Sequence, residues 1–82
     1  MAKAEQLILY SDGGARGNPG PAGIGVVIKN SQGRILAEIS RFLGKATNNQ
    51  AEYQAIIAGL AKAKELGAPQ VKCYLDSELV VK

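Results

Sequence analysis

The sequence predicts an α/β fold. Its core is a mixed sheet of three antiparallel strands and a fourth parallel to the first, with a crossover helix between strands three and four. Three observations lead there. Apolar runs or apolar–polar alternation recur four times at strand length. Short connections rich in Gly, Asn and Pro separate the first three of these. One stretch of helical period stands between the third and the fourth. Short connections make antiparallel neighbours, whereas a helical crossover returns the chain parallel to where it left.

The first strand is Leu7-Ile8-Leu9-Tyr10-Ser11-Asp12, apolar almost throughout and ending in a carboxylate. A run without polar alternation predicts a strand covered on both faces. Residues 13–22, dense in Gly and Pro, predict a wide turn. Two phosphate-binding motifs fail here. The Gly-Lys-Ser/Thr of a Walker-type loop is absent, and Gly23-Ile24-Gly25 lacks the third glycine of a dinucleotide fingerprint. Ile24, Val26 and Ile28 then alternate with Gly25 and Val27 as a second strand. Residues 29–34 suit a hairpin turn, with Asn30 and Gly33 as its turn formers. Ile35, Ala37 and Ile39 alternate with Leu36, Glu38 and Ser40 as a third strand, to about Leu43.

Residues 44–49 break the pattern and lead into the helix. Asn49 is the expected N-cap, with Glu52 three residues on completing a capping box. Ala51, Ile56, Leu60 and Ala63 supply the helical period, while Ala55, Ala58, Gly59 and Ala61 are small enough for a close approach to the sheet. Lys62 and Lys64 suit the carboxyl end, Gly67 ends the helix and Pro69 prevents its resumption. Val71-Lys72-Cys73-Tyr74-Leu75-Asp76 is the fourth strand, again ending in Asp. Asp76 or Ser77 then caps a further helix beginning at Glu78.

Composition narrows the chemistry. With 82 residues, 46% of them hydrophobic, the expectation is one small domain over 1–82, whose first residues, 1–6, form a flexible N-terminus. A single cysteine and no histidine exclude a disulfide framework, a Cys/His zinc site and catalysis by a histidine base. Cys73 is expected as a small buried hydrophobe in a reducing, cytoplasmic setting. No stretch has the length of a signal peptide's apolar segment or of a membrane span. The net charge of +3 permits a polyanionic partner without establishing one.

The carboxylates carry the chemistry. With the fourth strand parallel to the first, Asp12 and Asp76 stand at the same carboxyl edge, and the start of the helix brings Glu52 toward it. Each acid alone also has a structural reading: Asp12 as a turn residue, Glu52 in a capping box, Asp76 as a helix cap. Three together repel unless a cation sits among them. Hard oxygen ligands suit Mg²⁺ or Mn²⁺, and such ions in pairs support phosphodiester cleavage.

Three ordered motifs then resemble type 1 ribonuclease H. They are Tyr10-Ser11-Asp12-Gly13-Gly14 with Gly17-Asn18-Pro19-Gly20-Pro21, Thr47-Asn48-Asn49-Gln50-Ala51-Glu52, and Leu75-Asp76-Ser77-Glu78-Leu79-Val80. The resemblance implies a ribonuclease H-like mixed sheet flanked by helices. It also implies an endonuclease that hydrolyses the RNA strand of RNA–DNA hybrids, leaving 3′-hydroxyl and 5′-phosphate ends. Asp12, Glu52 and Asp76 match catalytic, metal-binding acids for two Mg²⁺ or Mn²⁺ ions. Asn18, Asn48 and Asn49 match residues contacting the hybrid's minor groove, where 2′-hydroxyls mark the RNA strand. Thr47 matches a DNA-phosphate contact, and Lys45 falls near the position of an Arg that some members use for the same phosphate. Gly13, Ser77 and Glu78 fall at further substrate-facing positions, Glu78 where some members carry Gln. The asparagines equally suit turn or cap chemistry, and Arg16 a solvated loop.

The resemblance also implies a fifth strand, further helices and a fourth metal-binding Asp, none of which the sequence contains. The expectation is therefore a truncated domain with impaired two-metal catalysis, acting as a hybrid- or metal-binding fragment or a self-associating half-domain. Its fourth strand, 71–76, is expected to bury its open edge against a second copy or a complementary fragment.

Overall fold

The computed structural model describes residues 6–67 and 70–75. The expectations for residues 1–5, Pro69, Asp76, Ser77, Glu78 and the helix after it lie outside the described residues. The elements are β1 (Gln6–Ala15), β2 (Gly20–Lys29), β3 (Ile35–Ala46), α1 (Asn48–Glu65) and β4 (Gln70–Leu75). They form one four-stranded sheet in the order β3-β2-β1-β4. β1 pairs antiparallel with β2 and parallel with β4, and β2 pairs antiparallel with β3, as the connection lengths predicted.

The first hairpin is longer than expected. β1 runs on through Gly13, Gly14 and Ala15, which pair with Ile24, Gly23 and Ala22, so the wide turn shrinks to residues 16–19. The amide of Arg16 closes it by donating to the Pro21 carbonyl at 2.8 Å. The second turn is built on Asn30, whose side-chain oxygen accepts from the amides of Gln32 and Arg34, both at 2.9 Å. Gly33 sits there at φ 86, in the left-handed region that Gly adopts without a Cβ penalty.

α1 lies on one face of the sheet. Leu7 and Leu9 of β1, Val26 and Ile28 of β2 and Ala63 of α1 form the core beneath it, with Ala37, Ile39 and Val71 packed around them. The strict alternation of burial along β1 and β2 corrects the two-sided expectation. Leu7, Leu9 and Ser11 are buried, whereas Ile8 and Tyr10 are only half-buried. The described elements thus cover one face. On the other, the rings of Tyr10 and Tyr74 stack across β1 and β4 with centroids 5.3 Å apart. The Lys29 and Lys72 ammonium groups stand over these rings at 5.4 and 5.6 Å.

Two packing expectations are overturned. Cys73 is exposed rather than buried, because β4 pairs only with β1 among the described residues and is an edge strand. On α1 the buried residues are Ala51, Ala55, Gly59 and Ala63, while Leu60 is exposed. The helix approaches so closely that only small side chains fit between it and the sheet. A Cβ on Gly59 would stand 2.8 Å from a methyl of Leu9. Among the described residues no helix is long and apolar enough to cross a membrane.

Candidate active site

The start of α1 is fixed two residues earlier than the sequence reading placed it. Thr47, not Asn49, is the N-cap. Its hydroxyl accepts from the Gln50 amide at 3.1 Å, and the Gln50 side chain accepts from the Thr47 amide at 2.8 Å. This capping box satisfies two backbone donors that the first turn leaves unpaired. Glu52 therefore stands beyond the first turn, which carries no acidic residue. The signal was present in the sequence: Thr47 and Gln50 have the same spacing as Asn49 and Glu52.

The carboxyl end of β1 lies against this helix start. Gly13, directly after Asp12, packs on the Ala51–Glu52 peptide. A Cβ there would overlap the Ala51 carbonyl and come within 2.9 Å of the Glu52 nitrogen. Only glycine permits the approach, so the backbones that carry Asp12 and Glu52 meet because position 13 has no side chain. The structure thus brings together two of the three acids found in the sequence at the level of the main chain. Their side chains line different hollows. Asp12 is exposed in a groove on the open sheet face with Tyr10, Gly25, Val27, Glu38 and Ser40. Glu52, half-buried, lines a hollow on α1 with Asn49, Tyr53 and Ile56.

The third acid, Asp76, lies outside the described residues, as do Ser77 and Glu78. The parallel pairing of β1 with β4 extends to Ser11 opposite Leu75. Among the described residues no group of three His, Cys, Asp or Glu side chains is placed to hold a metal ion. The donors the site does offer are carboxylates, hard oxygen ligands of the kind Mg²⁺ and Mn²⁺ take.

The polar candidates form a joined set. The Asn48 side-chain oxygen accepts from the Ala15 amide at 2.8 Å, and the Asn48 amide donates to the Asn18 side-chain oxygen at 2.9 Å. The end of β1, the β1–β2 turn and the first turn of α1 are thereby tied at one point. Both side chains accept through their oxygen, and both residues are exposed. Asn18 precedes Pro19 across a cis peptide bond. Asn49 is exposed beside Glu52, and Thr47 is engaged in the cap. Ala15 and Gln50 are the partners that sequence reading missed. Ala15 carries no polar side chain to flag it.

Comparison with known proteins bears on the family and the fold. Residues 10–82 match the family described as Reverse transcriptase-like. The chain is 48% identical over 77 residues to the bifunctional protein Rv2228c of Mycobacterium tuberculosis, covering 93% of this chain and 21% of that protein. It is 49% identical over 73 residues to ribonuclease HI of Halobacterium salinarum, covering 89% of this chain and 37% of that one. Among solved structures it superposes on LC11-RNase H1 in complex with an RNA/DNA hybrid, with a TM-score of 0.81 and 49% identity. That match takes 92% of this chain and 57% of the other. The chain thus spans a fifth to a half of the curated relatives it matches. The family match spans most of the chain, which therefore belongs to the reverse transcriptase-like family and is similar in sequence to ribonucleases HI.

Proposed function

We propose that this chain carries the substrate-facing half of an endonuclease that hydrolyses the RNA strand of RNA–DNA hybrids. One observation carries the reading: the carboxyl end of β1 is seated on the Ala51–Glu52 peptide through Gly13, beside a β4 that runs parallel. That arrangement brings the backbones on which Asp12 and Glu52 stand together from separate segments. It also brings β4 to Leu75, the residue before Asp76. Asp12, Glu52 and Asp76 are the residues that would hold divalent ions. Bound there, Mg²⁺ or Mn²⁺ would supply charge neutralisation at the scissile phosphate. The chain's own part is to bind and orient. The side-chain amides of Asn18, Asn48 and Asn49 offer donors suited to 2′-hydroxyls and base edges in a minor groove. Thr47 and Lys45, adjacent to them in sequence, would meet a phosphate of the DNA strand.

The test is cleavage of an end-labelled hybrid in Mg²⁺ or Mn²⁺ by the chain and by Asp12→Asn. Cleavage of the RNA strand alone, lost in Asp12→Asn, is the expected result. Equal cleavage by both proteins, or cleavage of duplex DNA, would overturn the proposal. A second reading, hybrid binding without turnover, is favoured by Asp12 and Glu52 lining separate hollows. It predicts saturable hybrid binding in a gel shift with no product.

A further inference from the structure

Where β1 leaves the sheet, the last row across the strands is basic. The β1–β2 register ends with Ala15 opposite Ala22, and one further step sets Arg16 opposite Pro21. The Pro21 carbonyl accepts the Arg16 amide there at 2.8 Å. On its other side Pro21 stands opposite Lys45 of β3. Two strand spacings, about 10 Å, therefore separate the backbones of the two cations. Both residues are exposed. Among the described residues the salt bridge joins Lys62 to Glu65, so neither Arg16 nor Lys45 is held by a carboxylate there. Asp12 lies four residues back along β1, about 13 Å at strand rise. That exceeds the Debye length of about 8 Å at physiological salt, so its charge leaves the basic row largely intact.

The turn that carries Arg16 is fixed on several sides. Its amide is bonded to Pro21. A Cβ on Gly20 would overlap the Arg16 carbonyl, so the two backbones abut. Two residues on, the Asn18 side chain accepts from the Asn48 amide at 2.9 Å, which moors the turn to the start of α1. Arg16 thus stands on the same rigid corner as the asparagines, and a side chain on a fixed backbone has less freedom to lose on binding.

We infer that Arg16 is a second phosphate contact of the hybrid-binding face, taking a backbone phosphate other than the one assigned to Thr47 and Lys45. The inference rests on the proposed function and adds a residue to it. A guanidinium presents a planar fork of donors that matches a phosphate bidentately, which the point charge of Lys45 does not. A duplex strand carries a phosphate about every 3.4 Å of its axis, so cations about 10 Å apart meet different phosphates and do not compete for one.

The test is fluorescence-anisotropy titration of a labelled RNA–DNA hybrid, without divalent ions, over a series of salt concentrations. Arg16→Ala should weaken binding several-fold whatever the sequence, and should reduce the slope of log K against log salt by about 0.9. Arg16→Lys should recover most of that slope. Lys45→Ala should lose a similar amount, and the double variant about twice as much. Arg34→Ala, in the distant β2–β3 turn, should change neither quantity. Alanine keeps the backbone amide that Arg16 uses in the fold, and circular dichroism of each variant checks it. An unchanged slope in Arg16→Ala, an equal loss in Arg34→Ala, or a double variant no weaker than either single one would overturn the inference and leave the proposed function standing. Absence of hybrid binding by the unaltered chain would overturn both.

Discussion

The two sides of α1 are near-opposites. Toward the sheet stand three alanines and a glycine, all buried; toward the outside stand a tyrosine, an isoleucine and a leucine, all exposed. Hydrophobicity alone would have turned the helix round. Distance decides instead, because Leu9 lies so close beneath α1 that even a Cβ on Gly59 would stand 2.8 Å from its methyl. The large side chains are pushed to the far side, where they remain available to another layer. The same logic operates at Gly13, where two backbones touch because a side chain is missing.

Substitutions can break or sharpen this contrast, and they divide by side. Leu9→Ala removes the side chain that the inner face packs on and should cost about 3 kcal/mol, read as a lower urea midpoint. A loss near zero would mean that the inner face is loosely packed. Gly13→Ala forces a methyl into the Ala51 carbonyl and should cost about 2 kcal/mol, despite being a single-carbon change. Thr47→Ala belongs to neither side; loss of the cap should cost about 1 kcal/mol, seen as fraying of α1 in hydrogen exchange. Ile57→Ser on the outer side should change the stability of the chain alone by less than about 0.5 kcal/mol. A larger loss there, by the same urea assay, would show that the outer stripe is already covered.

What the sequence disclosed follows from how local each signal is. The strands, the hairpin turn at Asn30 and Gly33, and the parallel return of β4 were readable because alternation, turn chemistry and crossover length are properties of short windows. The extent of β1 was not. Glycines were read as breakers, yet Gly13 and Gly14 lie in the ladder opposite Ile24 and Gly23, where a missing side chain is what the neighbouring helix requires. Leu60 was read as core and Cys73 as buried. Their exposure depends on how near α1 comes and on β4 having one neighbour, which no window reveals. The helix start was off by two because Thr47/Gln50 and Asn49/Glu52 offer the same pattern in two frames. At the site, the acids were legible as types in order. The part Asn18 and Asn48 play in the framework was not, since their partners lie 30 and 33 residues away.

Asn48 makes the β1 end, the neighbouring turn and the helix start a single mechanical unit. Truncating it to alanine would therefore confuse two effects, a loosened corner and loss of the proposed contact with nucleic acid. Asn48→Asp keeps an oxygen for the Ala15 amide while deleting the NH₂ donor. The two variants side by side would separate architecture from recognition, at a position where either alone would mislead.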